Sequence, residues 1–221
     1  MASPACGGGG GGGGPPREVG LDLTTVAPTN PITCGNGIPV GVYPTFSFYA
    51  GNTSCTILTF SQFDLGPGAP GTVTDASVRV GAVTGPMRFV KLRDLFQNTI
   101  GSNGNPQCCA VEEYGAVFTP QPNSIASVTL NFRMTWESVP PLIDQTSVAG
   151  QDHIGLEVLD PNVPLPGVWT NASSAYPNAT FIWLPALSAQ GFRAGGPGMP
   201  PIPGTYPSGF IPTVSYTFVP N

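Results

Sequence analysis

The chain has 221 residues, of which Gly 30 and Pro 27 make up about a quarter, while charged residues are only 9 %. Its 40 % hydrophobic content is enough for a packed core, but helical surfaces laced with Glu and Lys pairs are excluded, and a net charge of −5 leaves no footprint for nucleic acid. No run approaches the ~18 apolar residues of a membrane-spanning helix, and the single histidine, His153, rules out a multi-histidine metal centre.

Residues 1–20 read as a flexible arm, because the run of glycines at 7–14, followed by Pro15 and Pro16, has nothing to bury. No charged and apolar leader precedes the run, so export by a secretory signal is not expected. Cys6 ahead of glycine looks like the start of a mature lipoprotein, but Ser3, Pro4 and Ala5 do not form a lipobox.

Residues 21–194 predict a body of strands. The clearest is 127–136, where Val128, Leu130, Phe132, Met134 and Trp136 alternate with Thr129, Asn131, Arg133 and Thr135. Similar alternation occurs at 45–50, 56–63, 76–82, 87–92, 110–118, 153–158, 180–184 and 214–218, and 92–99 reads as one short helical turn or equally as strand. Turn residues such as Gly85-Pro86 and Asp160-Pro161 separate them. The pattern predicts an all-β protein, an antiparallel β-sandwich or jelly roll carrying Gly/Pro-rich extended arms.

Residues 195–221 form the second arm and a final strand. Prolines every few residues favour extended polyproline conformation over sheet pairing. Met199, Ile202, Tyr206 and Phe210 are therefore candidates for burial against a neighbouring subunit, or else against the chain's own body.

The five cysteines match no zinc spacing, and disulfides are expected among Cys34, Cys55, Cys108 and Cys109, with Cys6 left over. Neighbouring cysteines are poorly placed to bond each other, which disfavours a Cys108 to Cys109 bridge. Three glycosylation sequons, at Asn52, Asn171 and Asn178, are about what composition alone produces.

Several clusters invite a chemical reading. Asp152 and His153, with Asp144, Glu157 and Asp160 near in sequence, resemble a loose calcium or acid–base group but lack the spacing of a calcium loop. A hydrolase would need converging carboxylates, most plausibly Glu112 or Glu113 with Glu157 or Asp152, and adjacent strand residues point to opposite faces, so only one of Glu112 and Glu113 is expected to face a cleft. Arg88, Lys91 and Arg93 read as a solvated or subunit-facing strand edge. Trp169 and Tyr176, expected in loops, are candidates for stacking on a sugar.

No catalytic, cofactor-binding or metal-binding residue is assigned. The expectation is a non-enzymatic structural or assembly protein of a virion (capsid, minor capsid or decoration) or another extracellular array. Its partners would be copies of itself and other structural proteins, with no nucleic acid and no membrane span. The alternative is a surface-attached carbohydrate-binding module or adhesin, with glycan as the partner.

Overall fold

The computed structural model describes residues 13–29, 33–35, 53–58, 70–94, 108–137, 150–169, 182–183, 186–188 and 210–221. Over these residues the protein is all-β with antiparallel sheets and no helix. The strands are β1 (Arg17–Gly20), β2 (Cys55–Leu58), β3 (Gly71–Arg79), β4 (Met87–Asp94), β5 (Cys108–Tyr114), β6 (Ile125–Met134), β7 (Trp136–Glu137), β8 (Gly150–Val158), β9 (Gly167–Trp169), β10 (Ile182–Trp183), β11 (Phe210–Pro212) and β12 (Val214–Pro220).

One sheet has the order β1-β12-β3-β6, a second has the order β10-β2-β8-β4-β5 with β7 also paired to β8, and β9 and β11 form a two-stranded ribbon. A single apolar cluster draws on both larger sheets, with Val73, Val78, Leu130, Phe132, Tyr216 and Phe218 from the first, and Ile57, Met87, Phe89, Ile154, Leu156 and Val158 from the second. Each sheet thus places one apolar face in a common core, the arrangement that removes most hydrocarbon from water per strand.

Strand β6 follows its sequence pattern. Leu130, Phe132 and Met134 are buried, while Ser127, Thr129, Asn131 and Arg133 are exposed. The strand is launched by a turn in which Asn123 takes a positive φ of 55°, a conformation asparagine tolerates better than most residues. Its backbone N–H then donates to Gly81 O at 2.8 Å.

Strand β2 departs from expected alternation, since Cys55, Thr56, Ile57 and Leu58 are all buried. Its sheet is covered on both faces. Leu58 joins Val90, Leu92, Val111 and Leu187 in a second, smaller cluster. Gly155 makes room for this cluster, because a Cβ there would come within 2.8 Å of Leu92 and 3.0 Å of Val90.

Other expectations are corrected. Residues 92–94, read as a helical turn or equally as strand, continue β4 as strand; residues 95–99 lie outside the described residues, as does the strand at 45–50. Residues 17–20, assigned to the N-terminal arm, pair with β12 from Arg17↔Phe218 to Gly20↔Ser215. Phe210, a candidate for contact with another subunit, is 1 % exposed and belongs to the chain's own core. Its ring lies over Gly167, where a Cβ would come within 2.3 Å. Met199, Ile202 and Tyr206 lie outside the described residues.

Cys34 and Cys55 form a disulfide across 21 residues of sequence, tying the segment 33–35 to β2. Closing a loop of that length removes about 3 kcal/mol of conformational freedom from the unfolded chain. Gly35 N–H reinforces the tie by donating to Pro161 O at 2.8 Å.

Replacing Phe132 with Ala should lower unfolding free energy by about 3–5 kcal/mol, since the ring is 4 % exposed and its removal leaves a cavity between strands. Replacing Asn131 with Ser, on the wet face, should change it by less than about 0.5 kcal/mol. Urea denaturation of the two variants checks both; equal losses would contradict the register of β6.

Candidate functional site

The charged side chains concentrate on β4, β5 and β8, in two networks on opposite faces of the second sheet. The β4–β8 register sets them apart, with Arg88 opposite Glu157 and Arg93 opposite Asp152. Residues 157 and 152 differ in parity along β8, so their side chains leave the sheet on different sides.

The first network surrounds Lys91. Its Nζ lies 3.0 Å from Glu112 Oε2, 3.2 Å from Glu113 Oε1 and 3.2 Å from Asp152 Oδ2. Arg93 Nε lies 3.1 Å from both Glu112 Oε1 and Asp152 Oδ1. Asp152 Oδ2 also accepts from Thr135 N–H at 2.6 Å and from its hydroxyl at 2.9 Å, and Arg93 Nη2 donates to the same hydroxyl. Thr135 is the one residue between β6 in the first sheet and β7 in the second. Asp152 therefore holds the point where the chain crosses between sheets.

Both Glu112 and Glu113 reach Lys91, against the expectation that neighbours on a strand must diverge. The reason is a bulge: Glu113 pairs with Lys91 and Val111 with Leu92, leaving Glu112 as the extra residue. Arg88, Lys91 and Arg93 likewise do not form a solvated strand edge, because β4 runs between β8 and β5 and the Lys91 side chain is only 6 % exposed.

The second network centres on Glu157, whose side chain is fully buried. It accepts from Arg88 Nε at 2.8 Å, Thr56 Oγ1 at 3.1 Å, Ser188 N–H at 3.1 Å and Ser188 Oγ at 2.7 Å. Thr56 Oγ1 also accepts from Leu187 N–H at 2.9 Å, so one carboxylate and one hydroxyl pin residues 187–188 against the sheet. The Arg88 guanidinium stacks 4.5 Å from the centroid of the Tyr114 ring.

Of the carboxylates proposed for hydrolysis, the fold brings Glu112, Glu113 and Asp152 together and sends Glu157 to the other face. Those three are engaged by two cations, Lys91 and Arg93, and so are tied into an ion-pair network. The suggested calcium group does not assemble around Asp152 and Glu157. Asp160 instead caps its own turn by accepting from Asn162 N–H at 2.9 Å, and Asp144 lies outside the described residues. Among the described residues, no group of three or more His, Cys, Asp or Glu side chains could hold a metal ion.

His153 is buried on β8. Trp169, expected in a loop, belongs to β9 and pairs through its backbone with Phe210; Tyr176 and the side chains of Trp169, Cys108 and Cys109 lie outside the described set. Sequence reasoning missed Thr56, Thr135 and Ser188. Their only signal is a hydroxyl in or beside an apolar run, and their partners lie far away in the chain. Comparison with protein-family models, with curated protein sequences and with solved structures gives no match.

Burial by itself would lower the Lys91 pKa, but the carboxylates of Glu112 and Asp152 outweigh it and hold the ammonium above its ordinary 10.5. A raised folded value means that Lys91 contributes stability in full below 10.5 and loses it as pH rises through the folded value. Lys91→Met should cost about 3 kcal/mol at neutral pH by leaving the surrounding carboxylates short of a cation. It should also flatten the loss of stability in alkaline solution, measured by thermal denaturation from pH 7 to pH 12. Parallel curves for the two proteins would refute the role of Lys91.

Proposed function

We propose that this chain is a non-enzymatic structural protein of an assembly, a virion (capsid, minor capsid or decoration) or another extracellular array. In this reading its two sheets face each other as a β-sandwich or jelly roll, and repeated contacts join copies of the chain to one another and to other structural proteins. The observation that carries the reading is where charge and hydrocarbon sit. The buried carboxylates Asp152 and Glu157 are bound by structural partners, while apolar side chains stand exposed on the connections between strands. Val83 on the β3–β4 connection is 57 % exposed, Val117 on the β5–β6 connection 55 %, and Ile125 at the start of β6 42 %.

These connections lie together, since Asn123 donates to Gly81 across them and Ile125 pairs with Arg79. Neutral, apolar loop ends on a chain with so few charges favour contacts between proteins over capture of a charged ligand. The Cys34–Cys55 disulfide supports an oxidising destination, outside the cell or on a virion surface.

Light scattering of the purified chain across a range of concentrations tests the proposal. A self-associating species that persists at high ionic strength is expected, because apolar contacts are not screened by salt. A strict monomer at every concentration would overturn it, and dissociation by salt alone would show that electrostatics carries the contacts.

A further inference from the structure

Among the described residues the two larger sheets end in four outer strands, and three of them are short or charged. β1 has four residues including Arg17 and Glu18, β10 has two, and β5 carries Glu112 and Glu113. β6 is different. It runs for ten residues, IASVTLNFRM, with no proline, no lysine and a single charge at Arg133. Outer strands normally carry such interruptions because an open row of main-chain groups recruits another strand.

The phase of hydrogen bonding shows which groups are open. Val80 N–H donates to Ser124 O on the β6 side at 3.0 Å, and Arg79 N–H to Thr213 O on the β12 side at 2.9 Å. Alternation then turns the main-chain groups of Ala126 and Val128 toward β3, and those of Ile125, Ser127 and Thr129 away from it. The β3–β6 register shifts between Val73 and Asp75, leaving Leu130 and Asn131 opposite Thr74; beyond it Asn221 N–H donates to Pro70 O on the β12 side, so Gly71 and Val73 face β6, their partners Met134 and Phe132 face β3, and Asn131 and Arg133 stay in the outward row. Among the described residues, β3 is the strand that pairs with β6.

We propose that the open edge of β6 is a strand-pairing site whose occupant is a second copy of this chain, docked antiparallel about a two-fold axis at Leu130. This deepens the assembly reading and rests on it. In this register Leu130 faces its own copy, Val128 faces the partner's Phe132, and Ala126 faces the partner's Met134, so every inward residue meets another apolar one. On the wet face Thr129 meets the partner's Asn131 and Ser127 the partner's Arg133, and no like charges oppose. Centring the axis on Thr129 instead would set Met134 opposite Ser124. The pairing makes one continuous eight-stranded sheet, and the symmetry closes at two copies.

Analytical ultracentrifugation of the full chain and its variants tests the register. Ser127→Lys sets two lysine–arginine pairs across the axis and should weaken dimerisation roughly tenfold. Adding Arg133→Glu to the same chain turns both pairs attractive and should restore it. Thr129→Pro removes an outward N–H without touching the β3 ladder and should also abolish pairing, with near-ultraviolet circular dichroism reporting the fold. Weakening by Ser127→Lys that the double variant does not rescue would overturn the register. An oligomer unchanged by all three variants would overturn the edge site and leave the assembly reading standing. A wild-type monomer at every concentration would overturn the assembly reading itself.

Discussion

The strand β8 is buried on both faces, and the rest of the fold depends on making that burial tolerable. It pairs with β2, β4 and β7, and from Asp152 to Val158 every residue is buried. Two of those residues are carboxylates, and an unpaired buried carboxylate would cost several kcal/mol. Each is instead surrounded. Asp152 takes two cations and two donors from Thr135, and Glu157 takes one cation and three further donors. The partners come from β2, β4, the link between β6 and β7, and residues 187–188, so satisfying two charges organises most of the second sheet. Removing any partner would leave a charge that water cannot reach, which gives these few polar groups more influence on the fold than their number suggests.

The same chemistry explains where the chain crosses between sheets. A strand leaving one sheet for another must release its backbone groups from one ladder before joining the next. At Thr135 the released N–H goes to Asp152, and the hydroxyl fills the remaining space between Asp152 and Arg93. Glu112 and Lys91 complete the ring. Glu113, with 44 % of its side chain exposed, adds little because its charge is screened by water.

Sequence alone revealed several strands through the alternation of apolar and polar residues. β6 is the plainest case, β4, β8 and β12 fall at predicted segments, and β3 overlaps the segment predicted at 76–82 only over 76–79. β2 was found, but its burial was misjudged, because periodicity cannot register a second apolar layer contributed by Leu187 from a distant part of the chain. β1, β9 and β11 are four residues or fewer, too short for a period to declare itself. In the candidate site, Asp152 and Glu157 were legible as members of a loose carboxylate group, and Lys91 and Arg93 as part of a basic cluster read as a strand edge. Their pairing was not, since Arg88 meets Glu157 across 69 positions and Arg93 meets Asp152 across 59. The bulge at Glu112 was equally hidden, being a property of register and not of composition.

Phe210 belongs to the body of the fold and not to an arm. On one flank Leu187 and Ser188 are fixed to Thr56 and Glu157; on the other, Phe210 sits in the core and pairs with Trp169. Met199, Ile202 and Tyr206, between these two fixed points, lie outside the described residues. The final strands β11 and β12 then do not extend from the body; they complete it, with β12 lying between β1 and β3. These C-terminal strands thus contribute to the stability of the body, with Phe210, Val214, Tyr216 and Phe218 in its core.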